Sequence, residues 1–162
     1  MKLSLDISVP SPYWRRLRGA REMARATIDA CVAESGVRTQ EGAEVSLFLA
    51  DDARVRALNA QWRGLDRPTN VLSFPAAPHE GIEHSRMLGD IALAYETVAR
   101  EAEESGLRLA DHYRHLVAHG FLHLIGFDHE TDADANRMEA LETRILARLG
   151  VSDPYAHGAS AP

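Results

Sequence analysis

A chain of 162 residues with 45% hydrophobic and 26% charged side chains has the balance of one soluble globular domain with an ordinary core. Its net charge of −6 argues against a protein that holds nucleic acid by bulk electrostatics alone. No apolar run approaches the roughly 18 residues of a membrane helix, and the start MKLSLDISVPSP lacks the apolar stretch of a signal peptide. A cytoplasmic protein with no membrane partner is the expectation, and the single Cys31, which allows no intramolecular disulfide, agrees with it.

LSLDIS alternates apolar and polar residues and predicts a half-buried strand over residues 3–8. From Tyr13 to about Glu34, Leu17, Ala20, Ala24, Ile28 and Cys31 recur at three- and four-residue steps, which predicts one amphipathic helix. Within it Cys31 reads as a small buried hydrophobe. EVSLFLA is a second strand over 44–50, and Asp51 caps a helix running to about Trp62. RGLDRPTN is a loop, because Pro68 disfavours helix at Arg67. VLSFP is a short third strand, followed by an exposed Gly- and Pro-containing connection. MLGDIALA predicts a fourth strand over 87–94, leading into a helix that ends at Gly106. A further helix spans Leu109 to about Ile125 with Gly126 as its left-handed cap, and Thr131 starts the capping pattern of the last helix. The fold expected is α+β: a single domain over 1–152, with a roughly four-stranded mixed sheet and about five helices, one of them a zincin-like metal helix. Residues 153–162 read as a flexible tail.

Charge is unevenly spread, with a balance of +2 over residues 1–67 and −8 over 68–162. Arg15, Arg16, Arg18, Arg21 and Arg25 cluster in WRRLRGAREMAR. They read as a solvated helix face, with a phosphate-contacting patch as the alternative.

The chemistry concentrates in HGFLHLIGFDH, residues 119–129. His119 and His123 stand four apart, so on a helix they project from one face about 6 Å apart along the axis. Gly126 permits the chain to turn back, and His129 then reaches the same ion from outside the helix. Three neutral imidazoles with an open fourth position are a catalytic rather than a structural zinc arrangement. His115 also lies near this stripe and reads as a helix-surface residue or a support for a ligand. His79, His84 and His157 read as solvated. The spacing is the ligand frame of metzincin proteases, yet Gly120 stands where those enzymes carry a glutamate base. Peptide hydrolysis needs proton transfer to a poor leaving group. Phosphodiester cleavage instead concentrates negative charge on phosphoryl oxygens, which a metal ion and an arginine stabilise together. The missing glutamate therefore counts against a protease and not against a nuclease.

Three blocks together resemble the YbeY endoribonucleases, bacterial factors for rRNA maturation and ribosome quality control. They are LNAQWRGLDRPTNVLSFP (58–75), MLGDIALA (87–94) and HGFLHLIGFDH. The resemblance implies that His119, His123 and His129 bind one Zn²⁺ ion and that Arg63 is the catalytic-site arginine acting on phosphate. It implies cleavage of single-stranded RNA in rRNA precursors, including the small-subunit rRNA 3′ end, with the ribosome or its small-subunit proteins as partners. From the sequence alone Arg63 is one of 17 arginines, and a surface role would be the default. Asp128 reads as a turn or ligand-supporting residue, and Asp90 as support for its strand end. Asn70 stands where many relatives have aspartate, and Trp62 where tyrosine is common; Trp62 keeps an aromatic face able to stack on a base. Met138 reads as core packing rather than as the methionine beneath a metzincin zinc. An RNA groove would combine the open metal face, Arg63, Arg67 and the arginines of the first helix. The rival readings are a metal-stabilised ribosome-assembly factor without catalysis and a zinc peptidase whose base is Glu96 or Glu130.

Overall fold

The computed structural model describes residues 2–156. Four strands form one mixed sheet in the order β1-β2-β4-β3: β1 (Ser4–Ser8), β2 (Glu44–Ala50), β3 (Val71–Pro75) and β4 (Met87–Ala94). β1, β2 and β4 are parallel, while β3 is the antiparallel edge strand, pairing Ser73 with Ile91 and Phe74 with Asp90. Parallel neighbours require crossover connections, and helices supply them. These are α1 (Ala20–Ser35), α2 (Asp52–Arg63), α3 (Tyr95–Glu104), α4 (Leu109–Leu124) and α5 (Asp132–Arg148). Single 3-10 helices at Pro12–Arg16 and His79–His84 complete the elements among the described residues. The α+β class, the four-stranded mixed sheet and the five α-helices agree with the sequence reading.

Strand alternation sorts the side chains into two unequal layers. Val45, Leu47 and Leu49 of β2 and Ile91 and Leu93 of β4 point to one face and are fully buried in the main core. α4 lies on that face, packed in turn against α1, α3 and α5. Eleven of its 16 residues are buried, so it is a central helix and not a surface one. Ala50, Ala92 and Ala94 point to the opposite face, where Leu72 and Val55 complete a small second cluster.

The helix expected from Tyr13 to Glu34 is broken in two. Trp14 is 2% exposed and its indole N–H donates to the Ala50 carbonyl at 2.7 Å. Holding that ring against the sheet makes Pro12–Arg16 a separate 3-10 turn, and Gly19 at φ 74° redirects the chain before α1 begins. The arginine cluster divides with it. Arg21 and Arg25 donate to the carbonyls of Ile7 and Leu3, tying α1 to the β1 strand region. Arg16 lies over the rings of Tyr13 and Tyr95. The caps behave as read: the Asp51 side chain accepts from Arg54 N and the Thr131 side chain from Asp134 N.

Candidate metal centre

α4 delivers two histidines, and the end of the same helix delivers the third. Gly126 N donates to the His123 carbonyl and Phe127 N to the Leu122 carbonyl, a paired helix stop that needs a left-handed residue at Gly126, whose φ is 101°. A side chain there would also collide with the His79 ring, whose Nδ1 is 2.1 Å from the position of a Cβ. His79, read as solvated, is exposed but anchored, with Nδ1 3.0 Å from the Ile125 carbonyl. After the stop, Asp128 accepts from Glu130 N and closes a small turn, the role read for it. His129 is thereby brought back beside α4.

The ligand-capable atoms of His119, His123 and His129 all lie within 4.8 Å of one another, so the group can hold a metal ion. Hydrogen bonds on the far side of two rings settle which nitrogens are free. His119 Nδ1 is 2.7 Å from Glu142 Oε2 and His123 Nδ1 is 2.9 Å from the Phe127 carbonyl. A carboxylate and a carbonyl both accept, so each Nδ1 carries the proton and each Nε2 keeps its lone pair. Those two Nε2 atoms face each other 3.0 Å apart. Burial, reinforced by the neighbouring His119, pushes the His123 pKa down to about 4, which favours the neutral, ligating form. The donor set, three imidazoles lining an open cavity, fits Zn²⁺.

Arg63, at the end of α2, lines the same cavity of about 450 Å³ as the three histidines. Its Nη2 donates to the Ser73 carbonyl at 2.6 Å, and its guanidinium carbon lies 5.4 Å from the centre of the Phe74 ring. The arginine thus curls around the edge strand β3. On the far side of that strand it lines a second groove of about 750 Å³, with Trp62, Phe74 and Asp90. Trp62 is 64% exposed there, free to offer a ring face. Asp90 is half-buried in β4 and belongs to this groove, not to the histidine cavity. Arg67 is exposed and lines neither.

Glycine at 120 has a steric explanation. A Cβ at that position would lie 2.9 Å from Ile91 Cγ2 and 3.2 Å from Ser73 Oγ, while Ser73 Oγ donates to the Gly120 carbonyl at 2.9 Å. This face of α4 is pressed onto β3 and β4, so a glutamate does not fit.

One residue in contact with the cluster escaped the sequence reading. Glu142 of α5 is 0% exposed. Burial alone would raise its pKa, but hydrogen bonds with His115 and His119 outweigh burial and hold it down to about 2. The signal was present as Met138, Leu141, Glu142 and Ile145, a carboxylate inside an apolar helical stripe. Met138 itself is core, as expected. His115 is buried and contacts Glu142 and Tyr155. His112 instead pairs with Glu101 at 2.9 Å. His84 is exposed, and His157 lies outside the described residues. Asn70 accepts from Val71 N and donates to Glu101 Oε1 at 3.0 Å, a donation an aspartate would not make without its own proton.

A three-histidine cluster at the end of a buried helix, sharing its cavity with an arginine that wraps the edge strand, defines an α+β protein with a candidate metal site. The family described as Endoribonuclease YbeY matches residues 16–150. Relatives named Endoribonuclease YbeY include one from Methylocella silvestris, 48% identical over 96% of this chain and 87% of its own length. Another, from Bradyrhizobium diazoefficiens, is 51% identical over 93% of this chain and 84% of its own. The chain belongs to this family. Its fold is similar to the solution structure of TM1509 from Thermotoga maritima, with a TM-score of 0.56, 23% identity, and coverage of 98% of this chain and 97% of that one.

Proposed function

We propose that this protein is a metal-dependent endoribonuclease that cuts single-stranded RNA, with His119, His123 and His129 holding one zinc ion and Arg63 acting on the scissile phosphate. The observation that carries the reading is the shared cavity, which Arg63 lines together with His119, His123 and His129, two of them with Nε2 left free. Zinc bound there supplies Lewis-acid stabilisation of negative charge on a phosphoryl oxygen. Arg63 spends one N–H on the Ser73 carbonyl, which fixes the plane of the guanidinium. Its remaining N–H groups are available for charge-assisted bonds to phosphate oxygens. The rim of Trp62 beyond β3 gives a flanking base a surface on which to stack.

The biological setting we infer is the cytoplasm, with rRNA precursors as substrates, including maturation of the small-subunit rRNA 3′ end, ribosome quality control, and small-subunit proteins as partners. Family membership supports it. No helix among the described residues is long and apolar enough to cross a membrane.

A peptidase lacks its base on this geometry. Glu96 accepts from Asp52 N at the start of α2, Glu130 is exposed on the turn, and both oxygens of Glu142 are engaged. The test is cleavage of a labelled single-stranded RNA by zinc-loaded protein. Arg63→Ala is expected to lose roughly 100-fold or more in rate with zinc content unchanged, and His123→Ala to lose both. Equal cleavage by all three preparations would assign the activity to a contaminant and favour the non-catalytic assembly factor. Loss of zinc in Arg63→Ala would remove the arginine from the role given to it here.

A further inference from the structure

His119 is the most buried of the three histidines, and what stands behind it is a closed cluster contributed by three separate segments. Glu142 divides its two oxygens between them. Oε2 accepts from His119 Nδ1 at 2.7 Å, while Oε1 accepts from the Tyr155 hydroxyl and lies 3.3 Å from His115 Nε2. His115 Nε2 is also 3.3 Å from the Tyr155 hydroxyl, and its ring stands edge-on to the tyrosine ring. The carboxylate is 0% exposed, and these three side chains are its hydrogen-bond partners among the described residues.

Tyr155 arrives by a built path. α5 ends in a second paired stop at Gly150, with Val151 N donating to the Leu146 carbonyl. Asp153 Oδ1 then accepts from Tyr155 N at 2.8 Å and from the Thr143 hydroxyl at 3.2 Å, which folds the segment back along α5 beside Glu142.

We propose that His115, Glu142 and Tyr155 are positioning residues for the metal centre: the tyrosine hydroxyl and His115 hold one oxygen of Glu142 so that the other keeps His119 in the Nδ1–H tautomer, its Nε2 aimed at His123 and His129. The segment after α5 thereby helps to set metal affinity without supplying a ligand. A carboxylate behind a ligating imidazole both orients the ring and raises its basicity, and its loss costs about 10- to 100-fold in affinity. The inference rests on the metal-binding part of the function proposed above.

Two measurements test it on the full-length protein. The zinc dissociation constant, taken by competition with a chromophoric chelator, is expected to weaken roughly 10- to 100-fold in Glu142→Gln and by a smaller factor, on the order of 3- to 10-fold, in Tyr155→Phe. In metal-free protein, ¹⁵N shifts of the His119 ring are expected to report Nδ1–H in the wild type and a tautomer mixture in Glu142→Gln. Tyr155→Phe removes only the hydroxyl, so it decides the matter if Glu142→Gln does not fold. Variants that lower the melting temperature while leaving both the zinc constant and the tautomer unchanged would overturn the proposal, because the cluster would then be structural only. Absence of zinc binding by the wild type would overturn the metal reading instead, while the tautomer comparison would still judge the cluster.

Discussion

The two faces of the sheet are built to different specifications. On one, Val45, Leu47, Leu49, Ile91 and Leu93 are all fully buried beneath α4, with α1, α3 and α5 behind it. On the other, alanines at 50, 92 and 94 leave α2 lying over a shallow apolar cluster and beside the 750 Å³ groove. Large side chains on the first face exclude water and fix α4 as a rigid mount, which a metal site needs because its ligands must hold their geometry. Small side chains on the second leave room. The edge strand β3 separates the two, and Arg63, with Pro75 at the strand's end, lines the cavities on both sides.

Gly120 sits where α4 presses closely on β3 and β4, and of the substitutions considered, those at this position have the largest expected effect. Gly120→Glu restores the residue of a peptidase helix, but its Cβ alone would lie 2.9 Å from Ile91 Cγ2 and its charge would have to enter the packed interface of α4 with the sheet. A loss of roughly 4 kcal/mol or more, seen as insoluble or unfolded protein, is expected. Gly120→Ala, which adds one methyl group, is expected to cost about 1–3 kcal/mol. Denaturant unfolding measures both, and a Gly120→Ala variant as stable as wild type would mean that α4 is less closely seated than described.

One pair of leucines tests the difference between the two faces. Leu47 is 0% exposed in the thick layer, whereas Leu58 of α2 is only partly buried against the thin one. Leu47→Ala is expected to cost about 2–5 kcal/mol, and Leu58→Ala about 1 kcal/mol or less. Equal losses would show that the α2 face contributes to stability as much as the α4 face does, and the division drawn here would fail.

What the sequence made legible divides along the same line. The histidine spacing was readable because a helix turns regularly and Gly126 announces where it stops; both are local facts. The bounds of β2 and β4 were readable for the same reason, since alternation and flanking turns are local. Glu142 was not, because a glutamate in a charged helix defaults to the surface, and only the approach of α4 and α5 makes it a buried acceptor. The break between Pro12–Arg16 and α1 depended on the docking of Trp14 onto Ala50, a contact 36 residues distant. Arg63 stood out by resemblance alone, since its neighbours in the chain do not reveal that it bends around an edge strand.

The smallest effect concerns how that edge strand is held. Glu101 of α3 accepts from Asn70, the residue just before β3, and pairs with His112 of α4, so it ties the edge strand to the mount of the metal site. Partial burial alone would raise its pKa, but the bonds with His112 and Asn70 outweigh burial and hold it below the ordinary glutamate range. A carboxylate depressed in the folded state stabilises the protein fully above its unfolded pKa, and the contribution fades as pH falls through the folded value. The stability of the wild type is therefore expected to fall in acid more than that of Glu101→Gln, with the two curves converging at low pH. The side chain is 34% exposed, so solvent screens the pair, and the difference near neutrality is about 1 kcal/mol or less. Parallel acid-unfolding curves for the two proteins would show that the pair does not hold β3. The position of Ser73, and of Arg63 on its carbonyl, would then rest on the pairing of β3 with β4 and on the Gly120 contact.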